Sequence, residues 1–178
     1  MMIEALSGRL EAELGRLVAP REQIVVKLRG AFSEGLVCTS SRVMVLKSGF
    51  MTGQLFGTAT FQLPYAQIAG VQVTFHLFTG YFEISAGGMQ NTPKSFWNRD
   101  KGFNPATSSN CVSIAGRGQA NRFRTACAVI LEQRGRGVQS SRPDDNLATL
   151  ERLSRLRSSG VLSESEFAAM KKRLMGSL

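Results

Sequence analysis

Phe96 and Trp97 stand side by side with Lys94, Arg99 and Lys101 around them, an aromatic pair interleaved with bases. The chemistry open to such a cluster is adhesion, not bond making. Aromatic faces beside cations can stack on single-stranded nucleic acid, sit at a lipid interface or anchor a protein contact. They can equally fold back over an open end of their own domain, because large aromatics in loops commonly find a buried place. A second basic group follows, with Arg117, Arg122, Arg124, Arg134, Arg136 and Arg142. The formal net charge is +9, and residues 91–142 alone carry +7. A localised basic face attracts phosphates of nucleic acid or anionic lipid, or acidic protein, over a range set by salt screening.

Residue types suited to catalysis are sparse. His76 is the only histidine, sits in an alternating run beside Phe75 and Leu77, and has no motif around it. Of the 13 carboxylates, only Glu34, Glu83, Asp100 and Glu132 lie between residues 24 and 142, which leaves little for acid–base work. Cys38, Cys111 and Cys127 are odd in number, lack CxxC spacing and have no histidine partners, so neither a disulfide framework nor a zinc site is expected. Gly116-Arg117-Gly118 and Gly135-Arg136-Gly137 lack the Lys-Ser/Thr ending of a phosphate loop and read as helix boundaries. The chain is therefore expected to be non-catalytic, without cofactor, metal or small-molecule substrate.

These side chains need elements to hold them. Ile3, Leu6, Leu10, Leu14 and Leu17 recur every three or four residues, an amphipathic helix ended near Pro20, whose stripe needs either the β domain or another copy as partner. From Ile24 the texture turns to short strands: 24–28, 36–39 and 42–46, the last two joined at Ser40-Ser41 as a hairpin. Lys47 to Gly57 reads as a glycine-rich loop before a strand over 58–63 that stops at Pro64. Val71, Val73, Phe75 and Leu77 alternate with Gln72, Thr74, His76 and Phe78, and Thr79-Gly80 is expected to turn the chain into a strand over 81–86. A long aperiodic stretch then leads to a last strand over 111–115. From about Gln119 to Gln133, Phe123, Ala126, Cys127, Ile130 and Leu131 share one helical face that would cap the sheet. Glycine, serine and Pro143 over 135–143 suggest a flexible basic linker. Beyond it, Leu147, Leu150, Leu153 and Leu156 mark one helix, and Ser163-x-x-Glu166 is a capping box that opens a second, with Phe167, Met170 and Leu174 inward. The missing apolar run and the charged N-terminus, with Glu4, Arg9, Glu11 and Glu13, point to a soluble chain without a signal peptide.

Seven short strands followed by one amphipathic helix is the order of a pleckstrin-homology-like barrel. The run Leu36 to Leu46, with Thr39 and Arg42 as a T-x-x-R turn, and Pro64-Tyr65-x-x-Ile68-x-x-Val71 resemble bacterial PH-like (YokE-type) domains. The tail, from Leu150 through Ser159-Gly160-Val161-Leu162-Ser163 to Phe167 and Lys171 to Leu174, resembles the SHOCT (short C-terminal) domain. The resemblance implies an α+β fold: a PH-like antiparallel β barrel or sandwich of about seven strands capped by a C-terminal helix, with an N-terminal amphipathic helix and a C-terminal two-helix hairpin. It divides the chain into a helix over 1–20, a PH-like domain over 21–134, a linker over 135–143 and a SHOCT-like hairpin over 144–178.

A bacterial or phage interaction module is implied, with a protein partner or a second copy as the first expectation. An anionic membrane surface and, behind it, nonspecific nucleic-acid binding are the alternatives. Eukaryotic headgroup-binding PH domains carry bases across the first hairpin; here Lys27 and Arg29 have no basic counterpart on Leu36 to Thr39. The expected contact residues are Lys94, Phe96, Trp97, Arg99, Lys101, Arg117, Arg122, Arg124, Arg134 and Arg136. For the hairpin they are Leu150, Leu153, Leu156, Phe167, Met170 and Leu174. The cytoplasm, with the membrane periphery as a variant, is the expected location.

Overall fold

Residues 2–88, 94–96, 104–159 and 163–175 are described by a computed structural model. The chain divides into two units, Met1–Arg134 and Gly135–Leu178. In the first, a minimal strand β1 (Met2–Ile3) precedes helix α1 (Gly8–Leu17). Seven strands follow: β2 (Ile24–Arg29), β3 (Glu34–Thr39), β4 (Arg42–Gly49), β5 (Gln54–Pro64), β6 (Ile68–His76), β7 (Thr79–Ala86) and β8 (Cys111–Ala115). They make a five-stranded sheet in the order β1-β2-β3-β4-β5 and a three-stranded sheet in the order β6-β7-β8. All pairings are antiparallel except the short parallel one between β1 and β2. Helix α2 (Arg117–Ser158) follows β8, and α3 (Glu164–Met175) closes the described chain. The α+β class, the strand order and the closing helix are those the PH-like resemblance implies.

Alternation along β3 and β4 sorts their side chains between two cores. Leu36, Cys38, Val43 and Val45 point inward to Phe82, Ile84, Val112 and Ile114, and Ala120, Phe123, Ala126 and Ile130 of α2 complete this cluster. The Phe82 and Phe123 ring centroids are 5.7 Å apart, tilted by 46°, within the range of a favourable aromatic pair. Val37, Met44 and Leu46 point the other way and are covered by Leu6, Leu10 and Leu14. Both faces of these strands are thus dry, which is why Leu36-Val37-Cys38 and Val43-Met44-Val45-Leu46 are unbroken apolar runs. The stripe of α1 packs on the β sheet. Fully burying a leucine such as Leu10 contributes roughly 1.5–3 kcal/mol.

Several expectations are corrected. The first helix does not begin at Ile3, which lies in β1 and is exposed; the helical stripe starts at Leu6, just before the Ser7 cap position. Residues 47–57 are not one loop. Strand β4 runs on to Gly49, a single 3₁₀ turn spans Phe50–Thr52, and β5 begins at Gln54; Gly49 and Gly53 supply the positive φ values of 90° and 77° that so short a connection needs. Leu131 is turned outward, and Ala120 takes its place on the inner face of α2. Residues 135–143 carry helical backbone within α2, not the linker expected from Gly135, Gly137 and Pro143. Once helix exists on either side, each further residue other than Pro143, which has no N–H to donate, adds a hydrogen bond without a new nucleation cost, so a short unfavourable stretch can be bridged.

The turn after β6 is also displaced. His76 pairs with Thr79, so the two-residue turn is Leu77-Phe78, and Gly80 lies inside β7 opposite Phe75. A Cβ at Gly80 would collide with the Thr74 carbonyl oxygen and come within 2.8 Å of the Phe75 Cα. Gly80 therefore serves close backbone approach between strands, not chain reversal. Gly80→Ala is expected to destabilise the β unit by about 2 kcal/mol or more, since backbone must move to admit the methyl group. A urea midpoint equal to that of the wild type would contradict this account.

Candidate interaction surfaces

Thr39 and Arg42 form a closed structural corner. Thr39 Oγ1 accepts the Arg42 N–H at 3.1 Å and donates to Glu22 Oε1 at 2.6 Å. Arg42 meets Glu22 through two bonds, Nε to Oε1 at 3.0 Å and Nη2 to Oε2 at 2.8 Å, and also reaches the Leu17 carbonyl and Gln62. Tyr65, from the Pro-Tyr stretch, donates its hydroxyl to the Thr39 carbonyl at 2.7 Å. The Arg42 guanidinium, with the Ser41 and Thr39 hydroxyls, holds the Glu22 carboxyl down to about 2. These residues tie α1's end, the hairpin and β5 together, and their polar atoms are consumed in doing so.

Two acid–base pairs lie inside the β unit. Lys47 Nζ donates to Glu34 Oε1 at 2.5 Å and to the carbonyls of Pro105 and Ala106 at 3.1 and 2.8 Å. The second Glu34 oxygen accepts the Ser113 N–H at 2.7 Å. Burial pulls the Lys47 ammonium below its usual range, against the opposing pull of Glu34. Neither residue was among the expected contacts, yet the pair was discoverable. A two-residue turn at Ser40-Ser41 extends to a register that sets Glu34 opposite Lys47, as observed. The second pair corrects an expectation: Lys94 is no surface base, because its side chain is 7% exposed and its Nζ lies 3.7 Å from the buried Glu83. Gln72 and Asn110 complete the surroundings of Glu83.

Phe96 is half-buried and, with Thr74, His76, Tyr81 and Lys94, lines an open groove of about 370 Å³. Trp97, Arg99 and Lys101 lie outside the described residues. Arg117, Arg122 and Arg124 are exposed on the first turns of α2; Arg122 Nε pairs with Glu4 at 2.7 Å and Arg124 bonds Asn121 at 2.9 Å. Arg134 turns back to donate to the Ala69 carbonyl at 3.3 Å, and Arg136 is exposed in the second unit. Arg117, Arg122 and Arg124 thus stay exposed near the start of α2, whereas Lys94 is drawn in against Glu83.

Sequence reasoning missed the exposed apolar turns. Leu77 and Phe78, at the tip of β6–β7, are 80% and 78% exposed, and Phe50 and Met51 stand out from the β4–β5 turn. Leu77 has φ of 49°, a left-handed backbone that costs a non-glycine residue roughly 1–2 kcal/mol. Burial raises the cysteine thiols, Cys111 to about 12 and Cys127 to about 11, so they are held protonated and are poor nucleophiles. Among the described residues no three histidine, cysteine, aspartate or glutamate side chains gather as metal ligands, and no helix is long and apolar enough to cross a membrane.

In the second unit the capping box forms as expected: Glu166 Oε2 accepts the Ser163 N–H at 3.0 Å, and the Glu166 N–H reaches Ser163 Oγ at 3.4 Å. Arg157 lies 4.8 Å from the Phe167 ring centroid and bonds Glu164 at 3.1 Å, joining the end of α2 to α3. Leu153 is buried and Phe167 half-buried, while Leu156 and Met170 are exposed; the side chains of Leu150 and Leu174 lie outside what is described. Residues 148–175 match SHOCT, the short C-terminal domain. No curated protein matches the chain. Among solved structures, a DUF1696 family protein with a pleckstrin-homology domain from Shewanella loihica PV-4 is 19% identical, with a TM-score of 0.36, over 49% of this chain and 77% of that one. A pleckstrin homology domain from Shewanella amazonensis SB2B is 23% identical, with a TM-score of 0.34, over 46% and 74%.

Proposed function

We propose that the chain is an interaction and assembly module, with the β unit as scaffold and the SHOCT-like hairpin as the element that pairs with a second copy. The observation that carries this reading is the apolar surface the second unit leaves open, with Leu156 at 37% and Met170 at 45% exposure beside the buried Leu153. Helix α3 has 12 residues, near the lower limit of roughly 12–15 at which isolated helices become marginal in water, so further packing would add needed stability. By contrast, α1 already spends its stripe on the sheet and is a poor candidate for the seam.

Light scattering on the full-length protein tests the proposal. A dimer or higher oligomer is expected at micromolar concentration, and Leu156→Asp/Met170→Asp is expected to shift it to monomer while leaving the unfolding of the β unit unchanged. A wild-type chain that is monomeric throughout would remove the assembly reading.

A further inference from the structure

A two-residue hairpin turn with positive φ at its first position normally takes glycine there, because a side chain is strained in that conformation. In this protein the position holds Leu77, at φ 49°, followed by Phe78, and both side chains stand almost wholly in solvent. Local backbone preference and the hydrophobic effect both oppose this choice. Strain and exposure that coincide at one turn are the marks of a functional tip.

The surroundings of the tip are basic. The Gly116 N–H bonds the Phe78 carbonyl at 2.9 Å, which sets the exposed Arg117 directly beside the turn. Gln119, one helical turn start away, accepts the Ala115 N–H and donates to the Arg29 carbonyl, bringing the exposed Arg29 to the same end of the unit. The nearby Glu4 offsets one positive charge, leaving the arginines Arg29, Arg117 and Arg122 in excess. One of its oxygens pairs with Arg122 at 2.7 Å, and the other accepts the Arg29 N–H at 2.9 Å.

We propose that the β6–β7 tip is a membrane-contact site, in which Leu77 and Phe78 enter the acyl region of an anionic bilayer while Arg29 and Arg117 meet lipid phosphates. The two apolar side chains stand 80% and 78% exposed at the tip of a two-residue turn, an arrangement suited to fluid acyl chains more than to a rigid protein pocket. Aromatic and aliphatic anchors ringed by arginine match the apolar interior and negative surface of such a bilayer in the right order. This site shares no residue with the helical hairpin, so it stands or falls independently of assembly.

The test is sedimentation of the full-length protein with vesicles of phosphatidylcholine alone or mixed with phosphatidylglycerol. The wild type is expected to bind the mixed vesicles, with affinity falling as salt rises. Leu77→Gly/Phe78→Ser places glycine where φ is positive, so its unfolding temperature is expected to equal or exceed that of the wild type. Its vesicle affinity is expected to fall by about tenfold or more, since both apolar side chains that would leave water for the acyl region are removed. Arg29→Ala/Arg117→Ala is expected to reduce binding to the level seen with neutral vesicles. The proposal is overturned if the wild type does not sediment with mixed vesicles at low salt, or if the Gly-Ser variant binds them equally well. A Gly-Ser variant that leaves vesicle binding intact but changes the oligomeric state would likewise overturn it, in favour of a protein contact.

Discussion

Replacing Lys47 with methionine is expected to destabilise the β unit by about 3–5 kcal/mol, because it leaves the Glu34 carboxylate buried without its counter-ion. Glu34 is wholly inaccessible, and its remaining partners, the Ser113 N–H and hydroxyl, are neutral dipoles that cannot balance a full charge. The substitution also strips the Pro105 and Ala106 carbonyls of their shared donor, so amide exchange in residues 104–110 is expected to accelerate. Adding Glu34→Leu removes the stranded charge. The double variant should therefore recover a large part of the loss, with a coupling of about 2 kcal/mol or more between the two sites. Urea unfolding of the four proteins measures this directly. Additive single effects would show that the pair is not the source of the loss.

The acid limb of stability is expected to depend on Glu22. Its carboxyl titrates near 2 in the folded protein, against 4.5 as the ordinary value, chiefly because Arg42 bonds both of its oxygens. The unfolded chain thus takes up this proton more readily than the folded one. The contribution is complete above about 4.5 and is lost as pH falls from there toward 2. With the side chain only 6% exposed, a contribution on the order of 2–3 kcal/mol is expected near neutral pH. Glu22→Gln should be destabilised by that amount at neutral pH and converge on the wild type near the bottom of the window. Arg42→Ala should lose at least as much at neutral pH, since it also releases the Leu17 carbonyl and Gln62. Parallel curves for Glu22→Gln and wild type from pH 6 to 2 would show that the corner does not act through this charge.

These two clusters differ in how far the chain announced them. Thr39 and Arg42 were marked by their position around a tight turn, and their partners Glu22 and Tyr65 lie in neighbouring segments that the sheet register brings together. Glu34 and Lys47 were legible through the same hairpin, by counting outward from Ser40-Ser41. What could not be counted is the segment around Pro105 and Ala106, more than fifty residues on, whose carbonyls complete the cage. The basic stretch divided for a similar reason. Lys94 and Arg117 look alike in sequence, but one meets the buried Glu83 and the other stands exposed beside the Leu77-Phe78 turn.

The β3–β4 hairpin, the Phe123, Ala126 and Ile130 positions on the inward face of α2 and the Ser163–Glu166 capping box were determined by sequence alone, because each depends on dihedral preference or periodicity within a few residues. The tertiary structure decided the rest. Gly80 has the residue type of a turn, but it pairs with Phe75 within the sheet, and that pairing sets the turn on Leu77 and Phe78. A glycine answers either to its own dihedral angles or to a neighbour's approach, and only the neighbour, supplied by the folded chain, distinguishes the two.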